Sequence, residues 1–190
     1  MQKPKLIVIS GKRYSGKDTV AKIIREYYIT EHNIEYTIVS FGDSCKRETA
    51  ERYGLSYERL CEDIEYKEQH RYLLTRTYHE DMNRYGDQIW VERLFNRLDK
   101  NIENNSYIIS DLRRGYELDY INANYGQGCK IIRVVAPDKI KSQCGFEYDE
   151  SKDKDITETD LDNVELCNII SNDEFGIDNL RQKVITLLKN

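Results

Sequence analysis

One stretch, KLIVISGKRYSGKDT over residues 5–19, limits the folds open to this chain more than any other. Leu6, Ile7, Val8 and Ile9 read as a buried strand that stops at Ser10. A turn with a glycine at each end follows, Gly11-Lys12-Arg13-Tyr14-Ser15-Gly16, and then Lys17 and a helix. Strand, G-x-x-x-x-G-K and helix in that order are the parts of a phosphate-binding loop. Gly11 lets the chain turn sharply off the strand, and Gly16 lets backbone N–H groups close on a phosphate with no Cβ in the way. The helix N-terminus adds unpaired donors and a partial positive charge. Lys17 has the reach to meet the β- and γ-phosphates of a nucleotide. Gly11, Lys12, Arg13, Tyr14, Ser15, Gly16, Lys17, Asp18 and Thr19 are therefore candidate nucleotide ligands.

Asp18 stands where Ser or Thr usually offers Mg²⁺ a hydroxyl. A carboxylate is also a hard oxygen ligand. Asp18 either holds the metal directly, reaches it through water, or turns away and caps the helix. The rest of the composition mostly excludes. At 190 residues the chain is expected to be one domain, 1–190, with a small lid. A net charge of −5 argues against a general nucleic-acid binder, whose footprint is basic. No apolar run approaches the length of a membrane span. Met1-Gln2-Lys3-Pro4 enters the first strand at once, which predicts no signal peptide. The five cysteines include no C-x-x-C pair, so neither a zinc site nor a disulfide framework is indicated and a cytoplasmic setting is expected. His32, His70 and His79 show no metal spacing.

The remaining chain alternates strands and helices. Strands are predicted over 6–9, 36–41, 107–111, 130–135 and 166–170, and helices over 19–31, 44–53, 57–61, 66–84, from 87 onward, over 115–124 and over 174–189. Residues 101–105 read as a loop and 125–128 as a turn. Residues 138–163 are irregular and charged, placed where a mobile lid would close and exclude water from the donor. The expected fold is α/β: a three-layer α/β/α fold of the phosphate-loop kind, with a five-stranded parallel sheet, helices on both faces and that lid. Ligands of such a sheet sit at the carboxyl ends of its strands, where the loop, Asp43, Asp111 and Pro137 fall.

Asp111 closes the third strand and is the natural acid to hold Mg²⁺ through water, or else a helix cap. Arg113 and Arg114 follow directly, two guanidinium forks able to grip a phosphate bidentately. Lys12 and Arg13 carry charge that can balance a phosphoryl group in transfer. The helical region at about 43–100 is expected to bind the acceptor, with Lys46, Arg71, Lys67 and Arg84 as its candidate cations. Lys139 and Lys141 are the lid's nearest cations, and Arg133 points either to the nucleotide or to a buried acid.

The loop G-K-R-Y-S-G-K-D-T, with Asp for Ser or Thr, resembles two related kinase families: the phage and viral deoxynucleoside monophosphate kinases and the animal phosphomevalonate kinases. F-G-D-S-C-K with Lys46, the Lys67-Glu68-x-x-Arg71 element and Asp111-Leu112-Arg113-Arg114 extend the resemblance through most of the chain. Trp90-Val91 and Glu117 look more like the nucleotide kinases; S-D-x-R-R, Y-K-E and the short length look more like the phosphomevalonate kinases. Where the latter carry a lid arginine before a G-W pair, Cys144 precedes Gly145-Phe146, and where the former carry His before a Ser/Thr-Glu pair, Asp155 stands. The resemblance implies that Asn172 approaches the adenine. It also implies ATP and Mg²⁺ as cofactors and a small phosphorylated acceptor, with the chain a monomer or homodimer and Lys17, Arg13, Asp111, Arg113 and Arg114 catalytic. The expected acceptor is a deoxynucleoside monophosphate, with phosphomevalonate as the alternative. A nucleotide-binding switch without an acceptor is the reading from another class, although the N-K-x-D of small GTPases is missing.

Overall fold

The structure, a computed structural model, describes residues 4–98 and 105–189. These form two compact units, one of residues 4–39 and 105–189 and one of residues 40–98.

The first unit holds a five-stranded sheet: β1 (Leu6–Ser10), β2 (Tyr36–Val39), β3 (Ser106–Leu112), β4 (Cys129–Val135) and β5 (Asn168–Ser171). The order across the sheet is β2-β3-β1-β4-β5 and every pairing is parallel. Central β1 is buried along its whole length, which is why it reads as an unbroken apolar run rather than an alternating one. Ile7 and Ile9 join Val20, Ile23 and Ile24 of α1 (Lys17–His32) and Leu180 and Val184 of α11 (Ile177–Lys189) in one core. Leu6 and Val8 alternate to the other side and are equally buried. α7 (Gly115–Tyr125) connects β3 to a short 3₁₀ turn at Gly126–Gly128, before β4. With the parallel strands fixed in this way, the ends of β1, β3 and β4 lie side by side, since Ser10 pairs with both Leu112 and Arg133.

The charged segment 138–163 is less irregular than its sequence implies. It contains three short helices, α8 (Asp138–Gln143), α9 (Glu150–Asp153) and α10 (Ile156–Thr159). Asp149 and Asp155 start the last two by accepting the amides of Ser151 and Thr157, so acids that look like a charge run work as caps.

The second unit consists of α2 (Phe41–Tyr53), α3 (Tyr57–Glu62), α4 (Ile64–Gln69), α5 (Arg71–Tyr85) and α6 (Ile89–Leu98). Two expectations are corrected here. The second strand ends at Val39 rather than 41, because Ser40 starts α2: its hydroxyl accepts from the Asp43 amide at 3.1 Å while Asp43 Oδ2 accepts from the Ser40 amide at 2.9 Å. Asp43 is thus the third residue of a helix and not a strand-end acid. The single helix expected over 66–84 is two, broken at His70, whose backbone leaves the helical region. Within this unit Asp81 is almost fully buried between Arg52 at 2.6 Å and Arg93 at 2.7 Å, and Trp90 stacks on Tyr78. The loop expected at 101–105 lies, apart from its last residue, outside the described residues. Among the described residues no helix is long and apolar enough to cross a membrane.

Candidate active site

The site of the first unit is built on the turn between β1 and α1. Gly11 is packed so closely that an added Cβ would lie 2.5 Å from Ser15 Oγ and 2.7 Å from the Val134 carbonyl oxygen. Gly16 has φ +93°, a left-handed conformation that side chains resist, and an added Cβ would lie 2.8 Å from Asn172 Nδ2. Both glycines are therefore required by neighbours as well as by the turn. Tyr14 is also left-handed, at φ 59°. Its ring meets Phe146 edge-on at 5.8 Å, and the Arg13 guanidinium lies 4.8 Å from the same Phe146 ring.

Lys17 opens α1 and is almost fully buried. Burial pushes its pKa down, and the nearby Arg113 pushes it further, against the pull of Asp18 and Asp111. A lysine in that position has shed much of its water and is poised to gain from an anion. Asp18 is exposed in the first turn of α1.

The turn after β3 is organised by a residue whose importance the sequence does not announce. Glu117 Oε2 accepts the amides of both Arg113, at 2.8 Å, and Arg114, at 3.0 Å. Its carboxyl is buried, and burial, aided by the charge of Asp111, raises its pKa to about 8. Both amides use the same oxygen, so a proton on the other breaks neither bond. Glu117 thereby fixes the backbone that carries the arginine pair.

Beside the loop lies a cavity of about 620 Å³, bounded by Gly16, Lys17 and Thr19 and walled on its apolar side by Ile140, Phe175 and Leu180. Asn172 also lines it, but its side-chain amide donates to the Ser15 carbonyl at 3.0 Å. Asn172 thus braces the loop as well as facing the cavity. Phe175 is the feature most easily passed over in sequence: a largely exposed aromatic just after the last strand, next to a left-handed glycine, Gly176.

Lys12, Arg13, Arg113, Arg114, Arg133 and Lys141 each meet an acid of residues 138–163, whereas Lys139 is exposed. Lys12 Nζ lies 2.7 Å from Asp162, Arg13 Nε 2.7 Å from Asp153, and Arg114 Nε 3.0 Å from Asp160. Arg133 donates to the Leu161 carbonyl and Asp162, and Arg113 to Glu158. Asp153 is pulled down to about 2, chiefly by its hydrogen bond from Arg13. Arg133 therefore points to a lid acid. Lys141 is buried, pairs with Asp138 at 2.8 Å, and lines a small cavity of about 100 Å³ with Lys12, Ser15 and Arg133. Sequence reasoning finds the cations but not these partners, which, apart from Asp138, stand 28 to 150 positions away.

In the second unit Lys46, Lys67 and Arg71 form a cationic group of their own. Burial lowers the Lys67 pKa first, and the charges of Lys46 and Arg71 lower it further. Lys46 also meets Asp43 at 3.0 Å, and Arg71 pairs with Glu68. Arg84 is exposed over the Tyr85 ring.

The residues of the first unit fit a nucleotide polyphosphate. The Ser15 hydroxyl is buried with no partner, the space at Gly16 admits no Cβ, and an apolar wall suited to a base stands next to the loop. For a metal the fit is sparser: among the described residues no three acid, His or Cys side chains converge. Asp18 and Asp111 both act on Lys17 through their charge, and Mg²⁺ at a nucleotide needs one or two carboxylates, with phosphate oxygens and water completing the shell.

The phosphomevalonate kinase family model matches residues 9–127, more than half of the chain and inclusive of the loop and the Asp111–Arg114 strand end. The chain belongs to the phosphomevalonate kinase family. It is thus a kinase of the phosphate-loop kind. Solved structures agree on the fold. TT1252 from Thermus thermophilus superposes with a TM-score of 0.55 at 16% identity, over 99% of this chain and 98% of that one. A sugar kinase from Janibacter sp. HTCC2649 superposes with a TM-score of 0.52 at 13% identity, over 97% of this chain and 94% of that one. At such identities the likeness concerns the fold alone.

Proposed function

We propose that this family member transfers the terminal phosphoryl group of ATP to the phosphate of a small monophosphate, and that phosphomevalonate is the acceptor. The observation that carries the reading is the gathering of Lys12, Arg13, Lys17 and Arg113 around a glycine-bounded turn in a family whose model covers that turn. Bound ATP–Mg²⁺ supplies the activated phosphoryl group. The loop amides and the Ser15 hydroxyl bind the phosphate chain, and Lys17 balances its charge. Asp18 and Asp111 would hold the metal, directly or through water. Ile140, Phe175 and Leu180 receive the base. Arg113 and Arg114 take charge that builds up on the equatorial oxygens and align the acceptor phosphate. An acceptor that is already a phosphate needs no nucleophilic side chain and no general base. Lys46, Lys67 and Arg71 form a cationic group within the second unit that suits an anionic ligand.

The two features that draw the sequence toward a nucleotide acceptor do not discriminate. Trp90 is buried against Tyr78, and Glu117 holds backbone amides. Both have structural work that either acceptor would require. The family match then favours phosphomevalonate.

A coupled ADP-release assay with phosphomevalonate and each deoxynucleoside monophosphate tests this. Phosphomevalonate is expected to raise ADP release at least about a hundredfold over the rate without acceptor, the scale set by positioning an acceptor in line. Stimulation by a deoxynucleoside monophosphate with phosphomevalonate idle contradicts the acceptor assignment. Slow hydrolysis indifferent to every acceptor points instead to a nucleotide switch.

A further inference from the structure

Glu158 joins the loop to the end of β3. Its Oε2 accepts the backbone amide of Arg13 at 2.7 Å, and its Oε1 accepts from the Arg113 guanidinium. The side chain is only 6% exposed. The neighbouring lid acids behave differently: Asp153, Asp160 and Asp162 pair with side chains of Arg13, Arg114 and Lys12 and keep 16–36% of their side-chain surface in solvent. Among the described residues of the lid, Glu158 is the acid that takes an amide of the loop itself. One carboxylate bridging a loop N–H and an arginine fork uses the same donors that a phosphoryl group would use.

We infer that Glu158 stands, in the resting protein, where a phosphoryl group of the bound nucleotide goes, and that polyphosphate binding displaces it. The inference rests on the nucleotide reading of the loop given above and deepens it by naming how that site is kept closed. A carboxylate and a phosphate cannot share two donors at hydrogen-bond distance, because like charges there repel strongly. The phosphate carries more charge and more acceptor oxygens, and it also engages Lys17 and the remaining loop amides, so it prevails. A lone inorganic anion gains fewer contacts and competes less well. The lid segment carrying Glu158 is thereby coupled to occupancy: α10 leaves the loop when a polyphosphate enters.

Calorimetry with a non-hydrolysable ATP analogue and Mg²⁺ on the wild type, Glu158→Gln and Glu158→Ala tests the inference, with adenosine as the phosphate-free control and melting temperatures of the ligand-free proteins alongside. Both variants are expected to bind the analogue about tenfold tighter, since a competitor that holds the closed state at about 90% lowers apparent affinity by that factor. Adenosine affinity should not change, and the ligand-free variants should melt below the wild type. A residue that merely supports the fold would lower stability and affinity together. Unchanged or weaker analogue binding in the variants, with the wild type still binding, overturns the role of Glu158 and leaves the nucleotide site intact. Equal tightening of adenosine overturns it too. If none of the three proteins binds the analogue, the nucleotide reading fails along with it.

Discussion

Lys17→Ala should lose phosphoryl transfer by about a thousandfold or more, roughly 4 kcal/mol of barrier, while the protein stays folded and melts no lower than the wild type. The activity half of this expectation follows from charge. Lys17 begins α1, is nearly buried, and has Arg113 and Asp111 as neighbours. No other lysine of the loop is so placed, since Lys12 reaches outward to Asp162. The stability half follows from the direction of its pKa. Burial is the largest influence on Lys17 and pushes its pKa below the value in the unfolded chain. A depressed lysine pKa means that folding disfavours the charged form, so at neutral pH the charge opposes folding, and the penalty fades as pH rises through the unfolded value. Deleting the side chain removes that penalty. A steady-state assay and a thermal melt on the same preparation check both halves. Substantial activity in the variant, or a large fall in melting temperature, contradicts the account.

Arg113→Ala should cut kcat by about 10²–10³-fold and leave the apparent affinity for ATP within a few-fold. The donor is bound mainly by loop amides and Lys17, whereas Arg113 acts on charge that appears during transfer. Its backbone is fixed by Glu117, so the guanidinium is aimed rather than free to wander. The substitution also strips Glu158 of its arginine, leaving a largely buried carboxylate with the Arg13 amide as partner. That should cost about 1–3 kcal/mol of stability in the ligand-free protein. Arg113→Lys separates charge from geometry: it keeps the former and loses the fork, and should recover only part of kcat. A KM effect larger than the kcat effect would reassign Arg113 to ground-state binding.

The parts of the fold that could be read in the sequence are those set by local pattern. The run Leu6–Ile9, the two glycines and Lys17 specify strand, turn and helix within one contiguous stretch, and β1, the loop and α1 stand as expected. The five parallel strands were equally legible, because each is a short apolar run with a helix after it. Boundaries went astray where a side chain competes with the backbone pattern: Ser40 caps α2 before the apolar run ends, and His70 breaks a stretch with no glycine or proline to mark it. The candidate site was legible as a set of cations, since arginine and lysine at strand ends carry their meaning locally. Its acids were not. Glu158, Asp160 and Asp162 find their partners across the fold, and nothing in a charged run says which member will reach a loop amide. Glu117 was visible as an acid near the arginine pair, yet its job depends on two amides of a turn whose geometry only the folded chain defines.

The central claim is that the backbone amides after β1 wrap a polyphosphate. The most direct measurement is an amide-resolved NMR titration of the isotopically labelled protein with ATP and Mg²⁺. The account predicts that the amides of Arg13, Ser15, Gly16 and Lys17 shift first and furthest, saturating with a single dissociation constant. Shifts confined to other parts of the chain, or spectra that stay unchanged at millimolar ATP, would contradict it.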